Sequence, residues 1–214
     1  MLERFAIYYA PPADDMLCFL ANGWYNRPEI KPHSVSARRY GFHATIKAPF
    51  AVAEGRTRAE LEAAVATFAS THPRITIDAL TVRAIGGGFV ALVPEVQAQS
   101  LTGFAGDCVV AFERFRAPLT AAGRTLRMAG LTPWQTELLD RYGYPYVMDQ
   151  FQFHMTLTDK LPKDMVDKTV EDAKAWFAPF TGRPHHLDRL VIFHEPEPGA
   201  PFVRLQPDYP LARR

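Results

Sequence analysis

Two tetrapeptides in this sequence carry residues suited to chemistry: His43-Ala44-Thr45-Ile46 and His154-Met155-Thr156-Leu157, placed 111 residues apart. An imidazole near pKa 6.5 gives or takes a proton at neutral pH, and a hydroxyl two residues on can donate to an oxygen where charge builds. Two such pairs suit displacement at phosphorus, where one group accepts a proton from attacking water and another protonates the departing oxygen. Dividing the work in this way requires no metal ion and no cofactor. His43, Thr45, His154 and Thr156 are therefore the candidate catalytic residues.

These residues need rigid, facing supports, and the local sequence predicts strands. FHATIKAPF at 42–50 is echoed by FHMTLTDKL at 153–161. In an alternating strand Phe42, Ala44, Ile46 and Ala48 face a core while His43, Thr45 and Lys47 face the other way. The second copy sorts likewise, with His154, Thr156 and Thr158 presented together. Lys47 and Thr158 thereby become candidate substrate contacts. After the first copy, Thr57-Arg58-Ala59-Glu60 reads as a capping box opening an amphipathic helix, and Val166, Val170, Ala173 and Phe177 form a matching stripe after the second. Each helix leads into a two-strand pattern, from Ile75 and from His186, turned by Gly86-Gly87-Gly88 and by Pro196 to Pro201. The chain reads as a duplicated strand, helix, strand, strand unit, preceded by a strand at Phe5 to Tyr9 and a helix around Met16 to Trp24. Between the halves one helix follows Leu101, Phe104, Ala105, Cys108 and Phe112, and another starts at Thr132-Pro133-Trp134-Gln135. One folded unit over 1–214 is expected, with halves of roughly 1–95 and 96–210.

Composition narrows the field. The 214 residues carry 24 Lys and Arg against 23 Asp and Glu, a net charge of +1, without the basic excess needed to grip a long phosphate backbone. Cys18 and Cys108 flank no metal-binding spacing and read as reduced thiols. The first residues, with Glu3 and an early Pro-Pro, read as neither signal peptide nor membrane span, which predicts a cytoplasmic protein. Tyr142, Tyr144 and Tyr146 alternate in RYGYPYV and could line a sugar or base pocket, and Arg38, Arg39 and Tyr40 could reach an anionic substituent. The remaining histidines lack partners at ligand spacing. No Gly-Lys-Ser/Thr follows the glycine run, and there is no Gly-x-Ser-x-Gly elbow or dinucleotide fingerprint.

The paired motifs resemble those of the two-histidine (2H) phosphoesterase superfamily, the LigT-like cyclic phosphodiesterases. More narrowly, RRYGFHATIKAPF, DCVVAFERFRAPL, YGYPYV and FQFHMTLTDKL look like the branch associated with phosphonate metabolism and encoded beside carbon–phosphorus lyase genes. The resemblance implies an α+β, bilobal fold: two pseudo-symmetric lobes, each with an antiparallel sheet and flanking helices, facing across a cleft floored by the four motif residues. It implies His43 as acid and His154 as base, and adds Arg116, within FRAPL, to the substrate contacts Lys47, Thr158, Tyr40, Arg39, Tyr144 and Tyr146. Ile-Lys-Ala-Pro after Thr45 departs from RNA-directed members and points away from RNA ends. The expected activity is opening of a small cyclic phosphodiester, such as a ribose cyclic phosphate from phosphonate breakdown. The alternatives are a 2′,3′-cyclic nucleotide or RNA-end phosphodiesterase, or a module that binds a nucleotide or phosphosugar without turnover. The expected partner is a small phosphorylated molecule, with no long nucleic acid or membrane, for a monomeric protein.

Overall fold

The structure is a computed structural model that describes residues 3–213. Its helices begin where the sequence supplies caps. Asp15 accepts from the Leu17 N–H to open α1 (Met16–Asn26), and reciprocal capping boxes open α3 (Arg58–Thr71) from Thr57 and α6 (Pro133–Tyr142) from Thr132. Each box satisfies two backbone donors that a bare helix end leaves unpaired. Between them lie α2 (Val35–Tyr40), α4 (Gln99–Ala111) and α5 (Ala121–Met128), and α7 (Lys163–Phe177) follows.

The described residues add ten strands to these helices: β1 (Arg4–Tyr9), β2 (Ala44–Phe50), β3 (Ile75–Ile77), β4 (Leu80–Ile85), β5 (Phe89–Pro94), β6 (Met155–Thr156), β7 (His185–Leu187), β8 (Arg189–Glu195), β9 (Val203–Arg204) and β10 (Tyr209–Pro210). Eight form one antiparallel sheet in the order β10-β8-β1-β2-β6-β5-β4, with β9 also on β8. The expected α+β architecture is present, with the sheets of the two halves fused edge to edge at β2 and β6. The sequence halves also interlock: β6 of the second half pairs with β5 of the first, and β1 of the first half pairs with β8 of the second.

The two-strand pattern expected after each long helix breaks at Asp78 and again at Asp188. The segments before the breaks leave the main sheet and pair with each other as the ribbon β3–β7, centred on Thr76 opposite His186. The glycine turn closes β4 onto β5 with Ile85 opposite Phe89. At Gly88, φ is 133° and an added Cβ would stand 3.0 Å from the Leu161 carbonyl oxygen, so both backbone and space demand glycine.

Alternation divides the chain between two faces. Phe5, Ile7 and Tyr9 of β1 join the main core, which draws on both halves from Phe5 to Leu211 and lies beneath α1, α3, α4 and α7. Ala6, Tyr8 and Ala10 join a smaller cluster with Val191, Phe193 and Phe202 on the opposite face.

Two expected substrate contacts belong to the core side. The β1–β2 register shifts between Phe5↔Phe50, Ile7↔Lys47 and Tyr8↔Thr45, and such irregularities re-aim the side chains that follow. Lys47 therefore turns away from the His43 face and is 3% exposed. Its Nζ donates to the Val109 carbonyl at 3.1 Å and to Glu113 Oε2 at 2.9 Å. Arg116, also assigned to substrate from sequence, holds the other Glu113 oxygen through Nε at 2.8 Å and bonds the Ala117 and Arg141 carbonyls. Glu113 thus neutralises two sequestered cations.

Removing one partner of such a network strands a buried charge, whereas replacing the cation with an apolar chain of similar length does not. Glu113→Ala should lower unfolding free energy by ~3 kcal/mol, and Lys47→Met by no more than about 1 kcal/mol. Urea titration of both variants checks this order; a Lys47→Met loss equal to that of Glu113→Ala would contradict it.

Candidate active site

The two motif strands meet at the centre of the sheet, where Ala44 lies opposite Met155. These are equivalent positions of the repeat, so the local two-fold runs between them. In an antiparallel register, stepping one residue either way sets His43 across from Thr156 and Thr45 across from His154. Ala44 and Met155 are fully buried on the core face, which leaves the two imidazoles and two hydroxyls together on the other.

Each imidazole is held the same way. His43 Nδ1 donates to the Gly41 carbonyl at 2.8 Å, and His154 Nδ1 to the Gln152 carbonyl at 2.8 Å. A carbonyl oxygen can only accept, so Nδ1 carries the hydrogen and Nε2 is left for chemistry. Thr45 Oγ1 stands 3.2 Å from His43 Nε2, which in this tautomer is the acceptor for the hydroxyl. Gly41 has φ of 75°, and an added Cβ would approach the Phe193 ring to 3.2 Å, so the carbonyl anchoring His43 depends on glycine.

The surroundings of the two rings differ. Tyr8 stacks on His43 with centroids 3.7 Å apart and planes 17° apart, and Phe193 and Tyr40 lie 6.0 and 6.4 Å away. Burial pushes the His43 imidazole down to about 4, against the Gly41 bond that favours its charged form, and any charge on His154 lowers it further. The anchor of His154 lies in the open, and no aromatic ring stacks on it among the described residues. Its short strand is held from behind: Trp24 Nε1 donates to the Leu157 carbonyl at 3.0 Å and Tyr25 Oη to the Thr156 carbonyl at 2.5 Å. Asp159 accepts from the Ser36 and Ala37 N–H groups at 3.0 Å each, joining the second motif to the helix that precedes the first.

The cleft over these residues has a volume of about 630 Å³, within the range of small-molecule sites. Tyr8, Tyr40, Phe89, Tyr144, Tyr146, Gln150 and Gln152 contribute to its walls, along with all four motif residues. Tyr40, Tyr144 and Tyr146 line this cleft, with Tyr144 and Tyr146 edge to face at 5.5 Å. Four expected contacts do not reach the cleft. Lys47 and Arg116 serve Glu113. Thr158 is fully buried and its Oγ1 accepts from the Val90 N–H at 3.0 Å, because Leu157 and Thr158 both donate to the Val90 carbonyl and the alternation breaks there. Arg39 spends its guanidinium on Glu195 and on the Gly199 and Ala200 carbonyls, at 3.1 Å each. Tyr8 and the glutamines were not anticipated. β1 reads as an unbroken apolar run, with no polar partner to mark which face Tyr8 takes.

Among the described residues no three His, Cys, Asp or Glu side chains gather as a metal site requires, and no helix is long and apolar enough to cross a membrane.

A family model described as a protein of unknown function (DUF1045) matches residues 45–203. A ribose 1,5-bisphosphate phosphokinase PhnN from Janthinobacterium sp. (strain Marseille) is 35% identical over 228 aligned positions, covering 96% of this chain and 50% of that protein. Its namesake from Laribacter hongkongensis (strain HLHK9) is 34% identical over 215, covering 93% and 50%. The chain spans about half the length of the curated relatives it matches. Among solved structures, E. coli LigT complexed with 3′-AMP aligns over 100% of both chains at 12% identity with a TM-score of 0.48. A crystal structure of a phosphoesterase aligns over 99% of both at 12% and 0.47.

A ring held neutral by burial titrates far below an exposed one. The His43 ring protons should shift by NMR with a midpoint near pH 4, and Tyr8→Leu, which opens the ring to water, should move that midpoint toward 6.5. A wild-type midpoint at 6.5 would mean that the ring is solvated.

Proposed function

This chain belongs to the family described as protein of unknown function DUF1045, and we propose that it is a phosphoesterase opening a small cyclic phosphodiester by two-histidine acid and base catalysis. The observation that carries this reading is the matched anchoring of the imidazoles. Each Nδ1 is tied to the carbonyl two residues back, and each Nε2 is left on the cleft face of adjoining strands. A binding site needs only donors, whereas two prepared Nε2 atoms suit an acceptor and a donor acting together.

In the forward direction His43, kept neutral, takes the proton from water as its oxygen attacks phosphorus. His154, protonated on both nitrogens, gives its Nε2 proton to the ring oxygen as the bond from phosphorus to that oxygen breaks. The product is a phosphomonoester beside a free hydroxyl, and the two histidines exchange protonation states until solvent resets them. This allotment reverses the roles implied by the family resemblance, and the reason is the burial of His43 under Tyr8. Thr45, which rests against His43 Nε2, can turn its hydroxyl to a non-bridging oxygen once water takes that place, and Thr156 serves the opposite side.

The absence of Lys and Arg from the residues lining the cleft favours a small substrate over a nucleic-acid strand. The names of the curated relatives concern ribose 1,5-bisphosphate, which supports a phosphorylated ribose as the remainder of the substrate and a place in phosphonate breakdown. The aromatic walls formed by Tyr144, Tyr146 and Phe89 favour a second reading, a 2′,3′-cyclic nucleotide whose base stacks there.

Phosphorus NMR of EDTA-treated protein with ribose and nucleoside cyclic phosphates tests both. Single replacement of His43 or His154 by Ala should lower kcat by roughly 10²-fold or more with the thermal transition retained. Turnover that survives either replacement would exclude the paired mechanism, and binding without product would favour a sensor.

A further inference from the structure

One wall of the cleft carries side-chain amides that the phosphorus chemistry does not use. Gln135, at the start of α6, and Gln150, in the turn Met148–Gln150, line it together with Tyr144, Tyr146 and Phe89. The two amides belong to one chain of hydrogen bonds. The Thr132 N–H donates to Gln135 Oε1 at 3.1 Å, Gln135 Nε2 to Gln150 Oε1 at 3.2 Å, and Gln150 Nε2 to Asp149 Oδ2 at 3.3 Å. The chain starts at a backbone N–H, which only donates, and ends at a carboxylate, which only accepts, so neither amide can flip without breaking it. Asp149 is held in turn by Trp134 Nε1, at 2.9 and 3.1 Å from its two oxygens.

A fixed polarity decides what the wall offers. Each amide oxygen is occupied within the chain, and each amide nitrogen keeps one hydrogen that has no acceptor among the described residues. The wall therefore presents two neighbouring N–H donors. Its backbone is bent to do so: Met148 has φ of 56°, a left-handed conformation that is costly for a residue other than glycine and is found most at binding and catalytic sites. The lining residues include no Lys or Arg, so the group that meets these donors is neutral.

We propose that Gln135 and Gln150 read the edge of a nucleobase and select one that carries a carbonyl oxygen, guanine or uracil, over one that carries an amino group there, adenine or cytosine. This rests on the phosphoesterase reading in its nucleotide form and narrows it to the base. Guanine offers two adjacent acceptors, O6 and N7, to the two donors, and uracil offers O4. Adenine and cytosine place an amino group at the same position, where it meets an amide N–H and leaves both without a partner. Tyr144 and Tyr146 supply aromatic surface against which any base can rest. The aromatic wall thus gives affinity, and the amide chain gives choice.

The test measures turnover by phosphorus NMR and binding by calorimetry for the 2′,3′-cyclic phosphates of guanosine, adenosine, uridine and cytidine with the intact chain. Both kcat/KM and affinity should be about tenfold higher for guanosine than for adenosine, and for uridine than for cytidine. Gln150→Leu should bring both ratios close to unity. Gln135→Glu keeps the helix cap, since Glu60 fills the same place in the Thr57 box of α3, and should retain the wild-type thermal transition. The new carboxylate cannot donate to Gln150, whose amide must turn its nitrogen toward it and show its oxygen to the cleft. The preference should then pass to adenosine and cytidine, an inversion that a merely structural role would not produce. Equal cleavage of all four, a wild-type preference for the amino bases, or ratios unchanged in both variants overturns the base reading and leaves the phosphoesterase reading standing. Binding with the stated preference but without cleavage supports the base reading and removes the hydrolysis. Absence of cleavage together with equal binding, or with none, overturns both.

Discussion

One backbone pairing organises this molecule: Ala44 opposite Met155, where the motif strands of the two halves join edge to edge. Equivalent residues facing each other across an antiparallel pair impose a local two-fold, and that symmetry sets imidazole and hydroxyl against hydroxyl and imidazole. The join itself is short, since β6 is two residues long, and a strand of that length holds little by its own ladder. Side chains supply what the ladder lacks. Trp24 and Tyr25 bond its carbonyls from α1. Just upstream, Gln97 takes the Phe153 N–H at 2.7 Å and gives to the Phe151 carbonyl at 2.6 Å.

Backbone symmetry does not extend to the environments it creates. β1 lies beside β2 and brings Tyr8 over one imidazole, while β5 lies beside β6 and contributes no such ring to the other. A duplicated framework can in this way hold two identical side chains at matched geometry and still give them different surroundings.

What could be read from the sequence was what local physics decides. Capping boxes at Thr57 and Thr132, the glycine turn and the paired motifs all depend on residues within a few positions of one another, and all appear in the structure. Lys47 and Thr158 were misplaced because each sits just past a register irregularity, and irregularities are set by the partner strand. Arg39 and Arg116 were misplaced because their carboxylates, Glu195 and Glu113, come from elements packed on them; one of these is 156 residues away. Helix α5 announces itself only by Thr120 bonding the Gly123 N–H, with no apolar stripe to mark a buried face. Tyr8 lay hidden in a strand whose residues are apolar on both sides.

The position of β1 has a consequence for synthesis. It lies in the interior of the sheet, between β2 and β8, and its residue Arg4 pairs with Glu195. A nascent chain that has made β1 must wait for β8 to leave the ribosome, on the order of 10–40 s at ordinary elongation rates. Through that interval the outer edge of β1, with Phe5, Ile7 and Tyr8, is an unpaired apolar strand of the kind that recruits other chains. The interlocking of the two halves therefore leaves an apolar strand edge open in the growing polypeptide until β8 emerges.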